Sequence, residues 1–246
     1  EGKVVYLGQI SFFIGVFFIG TALPITVPFL LFSSLITFFK RNKLFFKDKW
    51  NYPFLICAFL MIISALYNSI GENSYEYESF DTFSIWLDTL NWIPLFFLYW
   101  GLQPYIASKK QKILFAKIII AGSIPILISC FLQFWFGIYG PFKTFFDLII
   151  WFQKPINDSS GVTGIFSNPN YLGSWLVLIL PFTFYLTAKQ KKYTQKSLSF
   201  LILVVSIYFL SQTDSRNAIL SFFSSIFIIL GFKKFLLITF AILLLS

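Results

Sequence analysis

The sequence has no histidine and very little charge. The absence of histidine from its 246 residues excludes a histidine general base and a histidine-ligated metal site within them. Charged residues make up only 12%, whereas 57% are hydrophobic; soluble domains carry roughly 25% charged residues. A water-soluble fold cannot hide so much apolar surface. The chain is therefore predicted to be an integral membrane protein.

Cysteine is also scarce. Cys57 and Cys130 lie in separate apolar runs. We interpret them as small buried hydrophobic side chains rather than as a disulfide or part of a metal site. No metal ion or cofactor is expected.

What the sequence does have is a series of long apolar runs. A membrane-spanning helix needs about 20 apolar residues, whereas a barrel strand needs about 10 with alternating polarity. Runs such as Ile113 to Phe136 are long and apolar on all sides, which favours a helical bundle over a barrel. We predict an all-α, polytopic transmembrane bundle that forms one domain over residues 1–246. The nine predicted spans are 4–21, 24–39, 52–70, 85–105, 113–136, 171–188, 197–212, 216–231 and 235–246.

The charges are distributed unevenly between the connections. Of the 19 Lys and Arg residues, all but Lys143, Lys154 and Arg216 fall on one side of this arrangement. Cytoplasmic loops are rich in Lys and Arg, so that side, which includes the N-terminus, is predicted to be cytoplasmic. The net charge of +9 thus reflects membrane orientation, and no nucleic-acid partner is expected.

Arg216 stands at the predicted outer face, where cations are sparse. One interpretation is an interfacial anchor, or a partner that Asp214 orients or neutralises. The other is an anion ligand, because a guanidinium binds phosphate oxygens in a bidentate manner. Asp214 or Ser215 is predicted to cap the helix that follows.

A second outer helix start lies at Asn168. Asn168 precedes Pro169, a pair typical of an N-cap and the first helical residue. This pattern alone predicts only a helix start. Because helix N-termini attract anions, the starts at Asn168 and Arg216 also predict a small anion site, to which Asn170 adds a side-chain donor. Between these outer elements, the stretch near Phe142 to Phe152 is expected to be an amphipathic segment along the membrane interface.

Two short motifs carry a resemblance to a known family. The first is G-x-F-x-N-P-N, followed by a small residue and an apolar span, from Gly164 to Gly173. The second is T-x-S-R-x-x-x-L, from Thr213 to Leu220, and it includes an R-x-x-x-L spacing that begins at Arg216. With both motifs at outer span starts, the chain resembles the O-antigen ligase and polymerase superfamily of polytopic bacterial glycan enzymes.

The resemblance implies an enzyme that transfers a glycan from an undecaprenyl-type polyprenyl diphosphate carrier at the outer face of the bacterial inner membrane. A ligase would use the lipid A–core as acceptor in lipopolysaccharide biosynthesis, and a polymerase would extend a polysaccharide. The resemblance assigns Arg216 to the carrier's diphosphate. The first residue is Glu1 and the last run, Phe235 to Ser246, is apolar. We therefore interpret the chain as the N-terminal part of a protein of about twelve spans, whose large periplasmic loop would supply the catalytic base.

Two other functions remain open from the sequence. Relatives have been described as transporters of inorganic carbon, and an outer anion site would also suit an anion transporter. Transporters usually contain broken helices in repeated halves. The helix interrupted by Pro125 has no such counterpart. A non-catalytic membrane scaffold is the remaining alternative.

Overall fold

A computed structural model describes residues 2–41, 45, 47–70, 82–156 and 161–231. This described part of the chain is helical apart from one short hairpin, which confirms the predicted all-α class. Its α-helices are α1 (Gly2–Phe18), α2 (Leu23–Arg41), α3 (Tyr52–Ile70), α4 (Thr82–Leu102), α5 (Lys109–Phe136), α6 (Pro169–Lys189), α7 (Tyr193–Ser211) and α8 (Arg216–Leu230). The strands are β1 (Phe142–Thr144) and β2 (Ile149–Trp151).

These helices follow the first eight predicted spans, with shifts at their ends. α3 covers the predicted residues 52–70, whereas α1 already ends at Phe18. α5 begins at Lys109 rather than at residue 113 and takes in a basic segment that was predicted to be a connection. The ninth predicted span, 235–246, lies outside the described residues.

Fewer crossings are supported than were predicted. Among the described helices, five are long and apolar enough to cross a membrane, namely α2, α3, α5, α6 and α7. α1 and α8 are apolar but shorter. The membrane class is therefore supported by length and composition, whereas the number of nine spans is not confirmed.

The chain divides into two compact units, and the first comprises the described residues of 1–15 and 27–112. Tyr105 is buried there and donates a hydrogen bond of 2.9 Å to the carbonyl of Ser33. Ser33 Oγ in turn donates to the carbonyl of Gly8 at 3.0 Å. Gly8 has to lack a side chain, because a Cβ at this position would collide with the Tyr105 hydroxyl. These contacts join α1, α2 and the residues that follow α4.

The second unit comprises the described residues of 16–26 and 113–246. α5 and α6 run antiparallel in it, since Phe115 packs on Phe182 with ring centroids 5.6 Å apart, and Trp175 Nε1 donates to Ser123 Oγ at 3.1 Å. Its apolar core is fully buried and includes Ile126, Cys130, Leu172, Leu176 and Ile179. This packing fixes the end of α5 and the start of α6, and with them the candidate site.

The cysteines have different surroundings. Both are free, but Cys130 is buried whereas Cys57 is exposed. The prediction of two buried hydrophobic side chains is therefore wrong for Cys57. Its helix, α3, is largely exposed and apolar, as expected of a helix that contacts lipid.

The segment predicted to be amphipathic near residues 142–152 forms the hairpin. β1 and β2 are antiparallel, with Phe142 opposite Trp151 and Thr144 opposite Ile149. The hairpin has two different sides, because Ile149 is buried whereas Phe146 is fully exposed.

Candidate functional site

The start of α6 is built by its own cap. Asn168 has an extended backbone, and its side chain accepts a hydrogen bond of 2.8 Å from the backbone N–H of Asn170. Its carbonyl accepts from the N–H of Tyr171 at 3.1 Å and from that of Leu172 at 3.4 Å. Pro169 has no N–H to satisfy. Asn168 is thus the predicted N-cap, and it engages the N–H groups that usually stay open in a helix's first turn.

Gly164, the first residue of the G-x-F-x-N-P-N motif, has a structural reason to be glycine. Its φ of +55° lies in the left-handed region, which other residues rarely adopt. A Cβ at this position would also lie 2.9 Å from the Sγ of buried Cys130. Glycine therefore lets the chain turn closely against α5 before α6 begins.

The start of α8 is capped by Ser215. Ser215 has an extended backbone, and its Oγ accepts a hydrogen bond of 3.3 Å from the N–H of Ala218. Of the two predicted caps, Asp214 and Ser215, the structure selects Ser215. Asp214 instead takes a left-handed conformation with φ of +53° and forms the turn that leads into the cap.

The two predicted helix starts contact each other. Ser215 Oγ donates a hydrogen bond of 2.7 Å to Asn170 Oδ1. One turn further along α6, a Cβ on Gly173 would lie 2.5 Å from the Cβ of Ala218, so only glycine permits this approach. α6 and α8 therefore lie in direct contact at their N-terminal ends.

A polar groove of about 300 Å³ lies between these ends. Most of its lining side chains carry a hydroxyl or an amide, namely those of Asn170, Ser174, Ser215, Asn217 and Ser221. Val177 and Ala218 complete the lining. Hydroxyl and amide groups that converge in one groove can hydrogen-bond to sugar hydroxyls and to phosphate oxygens.

Open backbone donors belong to α8 rather than to α6. The first N–H groups of α6 are engaged by Asn168. Within the described residues, the backbone N–H groups of Arg216 and Asn217 donate no hydrogen bond, although those of Ala218 and Ile219 do. Asn170 Nδ2 also donates none within the described chain. The two helix starts thus differ, and α8 carries the donors available to an anion.

Arg216 and Asp214 are both exposed and do not pair with each other. Within the described part of the chain, the one ion pair joins Lys143 to Asp147. The prediction that Asp214 orients Arg216 is therefore not supported by a contact between them. Residues two positions apart across a helix cap do not face each other. Arg216 is the first residue of α8, and its neighbours Ser215 and Asn217 line the groove. Its own side chain is not part of the lining.

Sequence reasoning missed a buried polar cluster that holds the loop between the hairpin and α6. Gln133 Oε1 accepts from the N–H groups of Thr163 and Gly164, at 3.1 and 2.8 Å. Its Nε2 donates to the carbonyl of Lys154 at 2.6 Å and to Thr163 Oγ1 at 3.0 Å. Gln153 inserts beside it, bonding to Ser129 and to the carbonyl of Ile138. The sequence signal was present, because Ser129 and Gln133 are four residues apart on one helical face within an apolar run.

The same loop is also tied to the turn before α8. The N–H of Val162 donates a hydrogen bond of 2.8 Å to the carbonyl of Gln212. A Cβ on Gly161 would lie 2.5 Å from the carbonyl oxygens of Gln212 and Thr213. α5, the loop before α6 and the α7–α8 turn thus form one connected support beneath the groove.

The fixed charges at the start of α8 are of both signs. The helix N-terminus carries roughly half a positive charge, the guanidinium of Arg216 adds a full positive one and the exposed carboxylate of Asp214 a full negative one. Comparison with protein-family models, with curated proteins and with solved structures found no match for this chain.

Proposed function

We propose that this chain is the membrane part of an enzyme that transfers a glycan from a polyprenyl diphosphate carrier to an acceptor. The observation that carries the proposal is the contact between the starts of α6 and α8. It brings the polar groove, the open N–H groups of α8 and the exposed Arg216 to one place. These are donors suited to a diphosphate, and the groove beside them suits the attached sugar.

In the proposed reaction, an acceptor hydroxyl attacks the anomeric carbon of the carrier-linked sugar. The bond from that carbon to the diphosphate oxygen breaks, and polyprenyl diphosphate leaves with its electron pair. Negative charge builds on the leaving diphosphate. Arg216 and the N–H groups of Arg216 and Asn217 would stabilise this charge in a poorly hydrated site, and Asn170 Nδ2 would add a neutral donor. The group that takes the acceptor's proton is not assigned to any residue of this chain.

The reaction further requires a particular arrangement in the membrane. We propose nine spans for residues 1–246 in the bacterial inner membrane, with the N-terminus in the cytoplasm. The basic residues support this orientation: within the second unit, Lys117 lies in the first third of α5, Lys189 ends α6, and Lys192 precedes α7. Since α5 and α6 are antiparallel, these three residues share one side of that unit, and the starts of α6 and α8 would face the periplasm.

Substitution of Arg216 tests the proposal. Arg216→Ala and Arg216→Lys would be made in the full-length protein and assayed for transfer of a carrier-linked glycan. We expect Arg216→Ala to lose about 2.7–4 kcal/mol of transition-state stabilisation, as for the removal of an oxyanion-hole donor. Arg216→Lys should keep part of the activity, because it keeps the charge but not the bidentate geometry. Arg41→Ala, at the end of α2, is the matched control and should keep full activity.

Four outcomes separate the proposal from its alternatives. Wild-type transfer by both Arg216 variants would remove Arg216 from the mechanism. Transfer to lipid A–core marks a ligase, whereas extension of a carrier-linked chain marks a polymerase that uses the same donor site. Uptake of an anion such as bicarbonate into vesicles that lack lipid-linked sugar would instead indicate a transporter.

A further inference from the structure

The β1–β2 hairpin presents apolar side chains at its tip. Phe146 is fully exposed, Phe145 is 69% exposed and Leu148 is 62% exposed. On the surface of a soluble protein such side chains normally occur singly, whereas here three lie within four residues. The tip therefore forms a small apolar patch on the second unit.

The backbone of this apolar patch has a conformation that few residues other than glycine adopt. Phe145, Phe146 and Asp147 have φ angles of 52°, 56° and 65°, all in the left-handed region. Non-glycine residues rarely occupy this region, and three in a row require support from their surroundings. The sequence thus keeps two bulky aromatic residues where glycine or asparagine would fit the backbone better.

The base of the hairpin supplies that support. Trp151 Nε1 donates a hydrogen bond of 2.8 Å to the carbonyl of Thr21, and the N–H of Phe152 donates to the carbonyl of Ile165 at 3.0 Å. The N–H of Gly140 donates to the carbonyl of Gln153 at 2.8 Å, next to the buried cluster of Gln133 and Gln153. The hairpin is therefore anchored to its unit and projects its tip in a fixed direction.

Apolar side chains are also exposed at the end of α5. Phe131, Trp135 and Phe136 are 46%, 52% and 64% exposed, on a helix long and apolar enough to cross a membrane. Ile138 and Tyr139, which connect α5 to the hairpin, are also exposed. Exposed apolar side chains at the end of a helix of this length are typical of lipid contact, and the hairpin follows this end directly in the chain.

We propose that the hairpin tip inserts Phe145, Phe146 and Leu148 into the membrane that α5 crosses, at the level of the upper acyl chains. Asp147, between Phe146 and Leu148, forms an exposed ion pair of 2.9 Å with Lys143 on β1. These charges stay hydrated among the phospholipid headgroups and limit insertion to the apolar side chains on either side of Asp147. The hairpin thereby holds the loop before α6 at a fixed depth. This inference rests on the membrane arrangement proposed above, and not on glycan transfer.

The test is the immersion depth of a nitroxide label at the tip. Cys57→Ser removes the exposed native thiol, and Cys130 is fully buried. On this background, Phe146→Cys is labelled in the full-length protein in phosphatidylcholine vesicles. The readout compares collisions with apolar oxygen and with a water-soluble nickel complex. Phe131→Cys on α5 serves as the lipid reference and Lys191→Cys, between α6 and α7, as the aqueous reference.

We expect the label at Phe146 to favour oxygen over the nickel complex, as at Phe131, and to lie at or below the phosphates. A label at Leu148→Cys should give the same result, which guards against a local effect at one position. A tip label that behaves as at Lys191, while Phe131 reads as lipid-exposed, would overturn the hairpin inference alone. An aqueous result at Phe131 would overturn the proposed membrane arrangement as well, whereas the activity of the Arg216 variants tests the diphosphate site in a separate assay.

Discussion

Ser215 Oγ donates a hydrogen bond of 2.7 Å to Asn170 Oδ1, and at the same time caps α8 by accepting from the N–H of Ala218. One hydroxyl thus fixes the start of α8 and attaches it to the first turn of α6. This double use explains how two motifs 40 or more residues apart in sequence form one groove, since the bonded residues are separated by 45 positions.

Ser215→Ala should therefore destabilise the protein by about 1–2 kcal/mol, from the lost cap and the lost contact with Asn170. The measurement is thermal unfolding of the purified protein in detergent. Ser211→Ala is the matched control, because Ser211 is exposed and its Oγ bonds to near neighbours, donating to the carbonyl of Tyr208 and accepting from Gln212 Nε2. Equal melting temperatures for the two variants would contradict the role of Ser215.

Gly173→Ala should separate the starts of α6 and α8. The added methyl group would lie 2.5 Å from the Cβ of Ala218, and such overpacking costs about 1–3 kcal/mol. Ala218→Gly removes the opposing methyl group, so the double variant should regain most of the lost stability. If the two effects on the free energy of unfolding simply add, the residues are not in contact.

Gln133→Leu should destabilise the loop between the hairpin and α6 by removing its buried support. The N–H groups of Thr163 and Gly164 would lose their acceptor. Each buried group left unsatisfied costs about 1–3 kcal/mol. Hydrogen exchange should accelerate at these two amides in particular. Gln195→Leu, at an exposed position of α7, is the control, and protection that is unchanged in Gln133→Leu would contradict the prediction.

Asn170→Asp should impair glycan transfer while preserving the contact between the helices. A carboxylate oxygen still accepts the hydrogen bond from Ser215, but it places negative charge beside the proposed diphosphate and removes the free Nδ2 donor. We expect the transfer rate to fall by about tenfold or more, equivalent to about 1.4 kcal/mol. Asn68→Asp on exposed α3 adds the same charge elsewhere and should leave the rate unchanged. An active Asn170→Asp variant would place the diphosphate away from Asn170.

Local signals in the sequence were sufficient for much of the fold. The apolar runs predicted eight helices to within a few residues, because a run of that length has few alternatives in a membrane. Asn168 followed by Pro169 predicted the start of α6, since both residues act on their immediate neighbours. For α8, however, the choice between Asp214 and Ser215 depended on which residue adopts the left-handed turn, and the sequence favoured neither.

The contacts between elements could not be read from the sequence. Helices that are apolar on all sides give no sign of which face packs, so the approach of Gly173 to Ala218 had no periodic signal. Asn168 engages the first N–H groups of α6, and this depends on cap geometry that the sequence does not give. The sequence predicted two equivalent helix starts as anion donors, whereas the structure, within the residues it describes, leaves open N–H groups at the start of α8 alone. The hairpin was missed because its tip has an apolar sequence without the asparagine–glycine or aspartate–glycine pairs typical of such turns.

The glutamine in α5 has a consequence for biogenesis. Hydrocarbon offers no water to an amide, so Gln133 is costly in a bilayer until it finds partners. Those partners, at Lys154, Thr163 and Gly164, are synthesised 21 to 31 residues later. α5 therefore reaches its final stability only after the following loop has emerged from the ribosome. The hydrogen-bond partners of Gln133 are supplied by residues that are synthesised after the helix itself.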